Sequence, residues 1–109
     1  MIKADARYRI VLVTCASIAE ARKIAHRVVD RKLAACANIV PRVESIYRWK
    51  GKVARAKEAL LMIKTTAARL HQLENEVKRL HSYEVPEFVA IPIIAGSQQY
   101  LDWLRKSVS

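Results

Sequence analysis

The chain has 109 residues, with 20 Lys and Arg against 10 Asp and Glu, a formal net charge of +10 and 52% hydrophobic residues. One domain spanning residues 1–109 is the economical reading, large enough for a real core. No stretch approaches the roughly 20 apolar residues of a membrane-spanning helix, and "MIKADARYRI" lacks a signal-peptide core, so the sequence reads as cytoplasmic, without a membrane partner.

Cys15 and Cys36 have no repeated spacing and read as free thiols in a reducing compartment. The excess of positive charge attracts polyanions in general and identifies none of them.

The run "YRIVLVTCA" (8–16) is β-branched and apolar without helical gaps, which predicts a central strand. "SIAE" then supplies a capping box, Ser17 with Glu20 three places on, ahead of a helix with apolar Ile18, Ala21, Ala25, Val28 and Val29 that ends near Lys32. "LAACANIVPRVESIYRW" returns to an extended pattern. A two-residue period puts Ile39, Val43, Tyr47 and Trp49 on one face, and Pro41 predicts a bulge or an edge.

"WKGKV" reads as the tip of a long hairpin, followed by the strand "EALLMIKT" (58–65). Thr66 is the expected cap of a helix with Leu70, Leu73, Val77 and Leu80 on one stripe. "EVPEFVAIPII" predicts a strand interrupted by Pro86 and Pro92, and "SQQYLDWLRK" a short last helix.

The order is β-α-β-β-α-β with a C-terminal helix, an α+β, ferredoxin-like arrangement in which two helices cover one face of a four-stranded antiparallel sheet. Tyr47 and Trp49 lie near the end of the hairpin, outside the expected core. Aromatics placed there fill a partner's pocket or line a ligand cleft, and self-association would cover them.

The segments "LAACANIVP", "SIYRWKGKV", "EALLMIKT", "LHSYEVPE" and "YLDWL", in this order, resemble the CutA family of divalent-cation tolerance proteins from about Arg9 to Leu104. The resemblance implies a homotrimer with hairpins exchanged around a threefold axis, similar in assembly to the PII signalling proteins, and no enzymatic activity. Trp49 would then anchor an intersubunit contact.

The resemblance also implies copper, or another divalent cation, at a cysteine ending the first strand and at histidines before a His-Tyr-Pro-Glu segment. Thr14 stands at that cysteine's position with Cys15 one residue on, and Leu80 and Ser82 replace a histidine and a proline, so Cys15 and His81 are the metal ligands it puts forward. Imidazole nitrogen suits Cu(II), and thiolate suits Cu(I). His26 and His71 read as solvated helix residues. A second set, Tyr47, Lys64, Tyr83 and Glu87, would be brought by the resemblance towards an intersubunit cleft able to hold a small polar ligand, or would pair Lys64 with Glu87.

Two other functions are weighed. A nucleic-acid-binding module fits the charge and the fold, but there is no RNP1-like run and only one Phe. An acylphosphatase-like enzyme would need a glycine-rich phosphate loop, and "TCASI" has no glycine. No organic cofactor is implied.

Overall fold

The computed structural model describes residues 2–109, beginning with a short strand, β1 (Ile2–Ala4). Tyr8–Cys15 form β2, whose alternation buries Val11, Val13 and Cys15 on one face and leaves Ile10, Leu12 and Thr14 half-covered on the other. Helix α1 (Ile18–Asp30) starts at Ser17, whose Oγ accepts from the amide of Glu20 at 3.1 Å. It buries Ala21, Ile24, Ala25 and Val28, spaced three and four apart, and is followed by Lys32 in the left-handed region at φ 57°.

Strands β3 (Cys36–Trp49) and β4 (Lys52–Thr66) make the expected hairpin. The two residues between them, Lys50 and Gly51, have φ of 52° and 77°. Both angles being positive is the signature of the type I′ turn, whose twist matches that of the flanking strands. Trp49 is therefore the last residue of β3, paired with Lys52, and not part of the turn itself.

The bulge expected at Pro41 is present. Val40 pairs with Leu60 but Val43 pairs with Glu58, so β3 carries one residue more than β4 across this interval. An extra residue reverses the phase of the alternation. Ile39 consequently faces the helices opposite Leu61, while Val43 and Tyr47 lie on the other face opposite Glu58 and Ala54. The single face predicted for Ile39, Val43, Tyr47 and Trp49 is corrected by that bulge.

A 3₁₀ turn (Ala67–Arg69) leads into α2 (Leu70–Leu80), and the side chain of Thr66 makes no capping hydrogen bond. The cap expected at Thr66 is thus replaced by a tighter first turn, one way of satisfying free amides at a helix start. The long strand read into residues 84–94 is also shorter: β5 covers only Val89–Pro92, and a separate strand, β6 (Ala95–Ser97), pairs with β1. Pro86 and Pro92 lack the amide donors that a continuous ladder would need. Ser97 caps the last helix, α3 (Gln98–Ser107).

The main sheet is antiparallel in the order β3-β4-β2-β5, the ferredoxin-like arrangement, with α1 and α2 on one face. Val11, Val13, Leu61 and Ile63 from the sheet meet Ile24, Val28, Leu73 and Val77 from the helices in one core. A smaller cluster beneath α3 joins Tyr8, Ala35, Leu101, Leu104 and Val108. The distal hairpin stretches the molecule to 46 × 24 × 23 Å and carries Ile46, Tyr47, Trp49 and Val53 exposed.

Candidate functional site

At the end of β2 the backbone turns into α1, and the C-terminus of α2 arrives from across the sheet. These three ends bring Cys15, Glu20 and His81 together, with one donor atom of each within 4.8 Å of the others. Cys15 faces the helices because it follows Thr14 by one step along the strand. The same step turns Thr14 to the opposite face, where it lines a cleft.

The hydrogen bonds around His81 define what this cluster can do. Nε2 lies 2.7 Å from the carbonyl oxygen of Thr14, which only accepts, so the ring donates from Nε2. Nδ1 is then the accepting nitrogen, and it receives the amide of Tyr83 at 3.0 Å. Glu20 accepts the amides of Ala16 at 3.3 Å and Ser82 at 3.1 Å with its two oxygens. The capping box is therefore only half as expected: the glutamate reaches Ala16 and the end of α2.

A metal ion at this cluster would need a thiolate, a free imidazole lone pair and a free carboxylate oxygen. Burial, with Glu20 and Glu58 nearby, pushes the Cys15 thiol up to about 12. Both ring nitrogens of the fully buried His81 side chain are engaged. As arranged, these donors do not fit a divalent cation, although Cys15 and His81, the pair put forward from the sequence, do come together.

The cluster instead fixes residues 81–83 against β2 and α1. The tyrosine that follows reaches over β4, and its hydroxyl donates to Glu58 Oε2 at 2.8 Å. The His81 and Tyr83 rings lie 4.7 Å apart between centroids. Burial and Glu58 raise the Tyr83 phenol above its ordinary range, so it stays protonated and donating.

Below Tyr83 lies a cleft of about 790 Å³. One wall is the hairpin, with Tyr47 and Trp49; the other is the segment after α2, with Tyr83, Glu84 and Glu87; Thr14 and Glu58 also line it. Tyr47 is 43% exposed and Trp49 55% exposed, whereas Glu58 is 8% exposed. Burial and the charge of Glu58 raise the Glu87 carboxyl above the ordinary range.

Tyr47, Trp49, Tyr83 and Glu87, named from the sequence, share this cleft within a single chain. Lys64 is not among its lining residues. It sits six positions along β4 from Glu58, with its ammonium 5.6 Å from the centroid of the Tyr100 ring. A Lys64–Glu87 pair is not formed within the chain. His26 and His71 are exposed on their helices. The residues missed from the sequence are Glu20, read only as a cap, and Glu58 and Glu84. For Glu58 the available signal was an acid one place before the apolar run of β4.

Glu20 gives the cluster a pH signature. Burial works against its ionisation, but the Ser82 hydroxyl and the amides of Ala16 and Ser82 outweigh burial and hold its carboxyl below the usual range. A lowered folded pKa contributes stability above the unfolded value of about 4.3, and that stability is lost as pH falls through the folded pKa. Glu20→Gln is expected to lower stability at neutral pH and to narrow its gap from the parent protein below about pH 4. Urea titrations at pH 7 and pH 3.5 test this, and a gap that does not change with pH would contradict it.

A family model described as "CutA1 divalent ion tolerance protein" matches residues 9–107. The Divalent-cation tolerance protein CutA of Thermus thermophilus is 51% identical over 98 residues, covering 90% of this chain and 95% of the relative. The chloroplastic Protein CutA of Arabidopsis thaliana is 47% identical over 98 residues, covering 90% of this chain but 54% of the relative, so the chain spans about half of that longer protein. Among solved structures, CutA from Synechococcus elongatus complexed with a Bis-Tris molecule superposes with a TM-score of 0.91 at 36% identity, over 98% of this chain and 99% of that one.

Proposed function

Because the chain belongs to the CutA1 family of divalent ion tolerance proteins, we propose that it serves cation tolerance in the cytoplasm as a non-enzymatic homotrimer that binds a small ligand in the cleft between its hairpin and the segment after α2. The exposed apolar side chains of the hairpin carry this reading. Tyr47 and Trp49 on one face of the hairpin, and Ile46 and Val53 on the other, expose large apolar side chains that a partner chain would cover. Val89 and Ile91 on β5, at the opposite edge of the sheet from β3, are exposed as well.

Covering a tryptophan removes on the order of 150–250 Å² of surface from water, several kcal/mol at about 25 cal/mol per Å². The relative from S. elongatus, complexed with a Bis-Tris molecule, supports a ligand-binding role for this fold. The engaged ring nitrogens of His81, the amides held by Glu20 and the protonated thiol of Cys15 favour the cleft over that cluster as the ligand site. The exposed aromatics are divided among the hairpin, the segment after α2 and α3, which does not favour a nucleic-acid role.

Sedimentation equilibrium tests the assembly. The parent chain is expected to sediment as a trimer at micromolar concentration, and Trp49→Ala to shift the equilibrium towards monomer by tenfold or more, about 1.4 kcal/mol. A monomeric parent, or a variant with unchanged association, would refute the role given to the hairpin.

A further inference from the structure

A smaller cavity, of about 290 Å³, lies where the start of α2 meets the end of α3. Thr66, Arg69 and Gln72 line it from one side, and Arg105, Val108 and Ser109 from the other. It shares no residue with the cleft, and Thr66 is the last residue of β4, at the opposite end of that strand from the hairpin turn.

This cavity has a surplus of hydrogen-bond donors. Arg69 is held in place, its Nε donating to the carbonyl of Val108 at 2.9 Å and its Nη1 to Gln72 Oε1 at 3.0 Å, which leaves Nη2 unused. With the Gln72 oxygen committed to that bond, its amide nitrogen remains as a further donor. Among the described residues the Arg105 guanidinium pairs with no carboxylate, and no acidic side chain lines the cavity. The carbonyl oxygens at the end of α3, which would repel an anion, are already taken: Val108 by Arg69, and Arg105 by the Val108 amide at 3.3 Å and Ser109 Oγ at 2.8 Å.

Thr66 points to an occupant independently of these charges. It is 8% exposed, lines the cavity, and makes neither a capping bond nor any other side-chain hydrogen bond among the described residues, whereas Thr65 beside it donates to the carbonyl of Leu33 at 2.7 Å. A hydroxyl so far removed from water costs free energy unless something accepts from it. A cation would meet only donors here, and an apolar group would leave them unpaired.

We propose that this cavity binds a phosphate group, with Arg69 and Arg105 as its charge partners and Thr66 and the Gln72 amide as neutral donors. The site is independent of the cleft and of any ligand bound there. A tetrahedral dianion offers acceptors in several directions at once, which matches donors reaching one small cavity from two helices. The planar guanidinium of Arg69, fixed through its Nε, presents its remaining edge to the phosphate oxygens.

Calorimetric titration tests the site, in a chloride buffer at a fixed ionic strength of about 0.15 M so that the diffuse attraction of the net charge is screened. Inorganic phosphate is expected to saturate at one per chain. Arg105→Gln, which removes no side-chain bond found among the described residues, is expected to weaken it about tenfold, and Thr66→Val severalfold. Lys23→Gln, which removes the same charge from the exposed face of α1, is expected to change nothing. Glycerol 3-phosphate, titrated beside the ion, separates the sources: equal or tighter binding assigns the group to a phosphomonoester, and binding of inorganic phosphate alone assigns it to the free ion. No saturable heat and no rise in the unfolding midpoint with either probe overturns the proposal. Equal weakening in Lys23→Gln and Arg105→Gln overturns it by showing net charge alone, and binding that neither Arg105→Gln nor Thr66→Val alters overturns it by placing the anion elsewhere.

Discussion

His81→Ala is expected to lower the unfolding free energy by about 2–4 kcal/mol, because it removes a fully buried ring and two hydrogen bonds at once. The carbonyl of Thr14 and the amide of Tyr83 lose their partners, and the segment leading to the cleft loses its anchor. Chemical denaturation measures the loss directly. His81→Gln, which keeps a side-chain amide in reach of one of these groups, is expected to recover part of it.

The same variant separates a brace from a metal ligand. With both nitrogens engaged and the thiol of Cys15 held protonated, calorimetric titration of Cu(II) is expected to give the same stoichiometry in the parent protein and in His81→Ala. A saturable site at one ion per chain, lost in the variant, would show that the cluster opens to bind copper and that its hydrogen bonds are those of a resting state.

Leu61→Ala is expected to cost about 2–5 kcal/mol, enough to unfold a large fraction of a domain whose total stability is about 5–15 kcal/mol. Leu61 is fully buried at the centre of β4, opposite Val13 on one neighbour and Ile39 on the other. Both neighbouring strands and the helices above lean on it, so the cavity left behind has rigid walls and little means of collapsing. Thermal unfolding reads the effect. A loss under 1 kcal/mol would mean that the core repacks freely, against the tight register seen here.

The element order was legible because apolar period and punctuation agree in most of the chain. The unbroken run at Tyr8–Cys15, the Ser17 cap and the glycine at the hairpin tip each specify one local structure. Reading failed where a local rule met a tertiary one. Pro41 signalled a bulge, but the reversal of faces beyond it, which puts Tyr47 across the sheet from Ile39, depends on which strand carries the extra residue. Strand β6 escaped notice because its only partner is β1, more than 90 residues earlier in the chain.

The candidate site divides in the same way. Tyr47 and Trp49 were visible as aromatics outside core positions, and Tyr83 and Glu87 came forward only through the resemblance. Glu58 was not, because its importance comes from burial beneath Tyr83, a contact across 25 positions that no spacing rule reports. Cys15 and His81 were paired by resemblance alone. Which lone pairs remain free is a matter of hydrogen-bond direction, which a sequence does not carry.

The two-residue turn at Lys50–Gly51 sets an order of events as well as a shape. Pairing of β3 with β4 closes outward from Trp49 and Lys52 by short steps, each a small loss of chain entropy, whereas β2 meets β5 only after some 70 intervening residues are gathered in. The hairpin therefore belongs to the folding nucleus and the edge at β5 to the last stage. Truncations in the hairpin such as Val43→Ala should slow refolding, while Val89→Ala should mainly speed unfolding, a contrast that chevron kinetics would expose. A chain just released from its ribosome would then hold a finished ribbon with bare aromatics well before its cleft has two walls, which makes the wait for partner chains its most aggregation-prone interval.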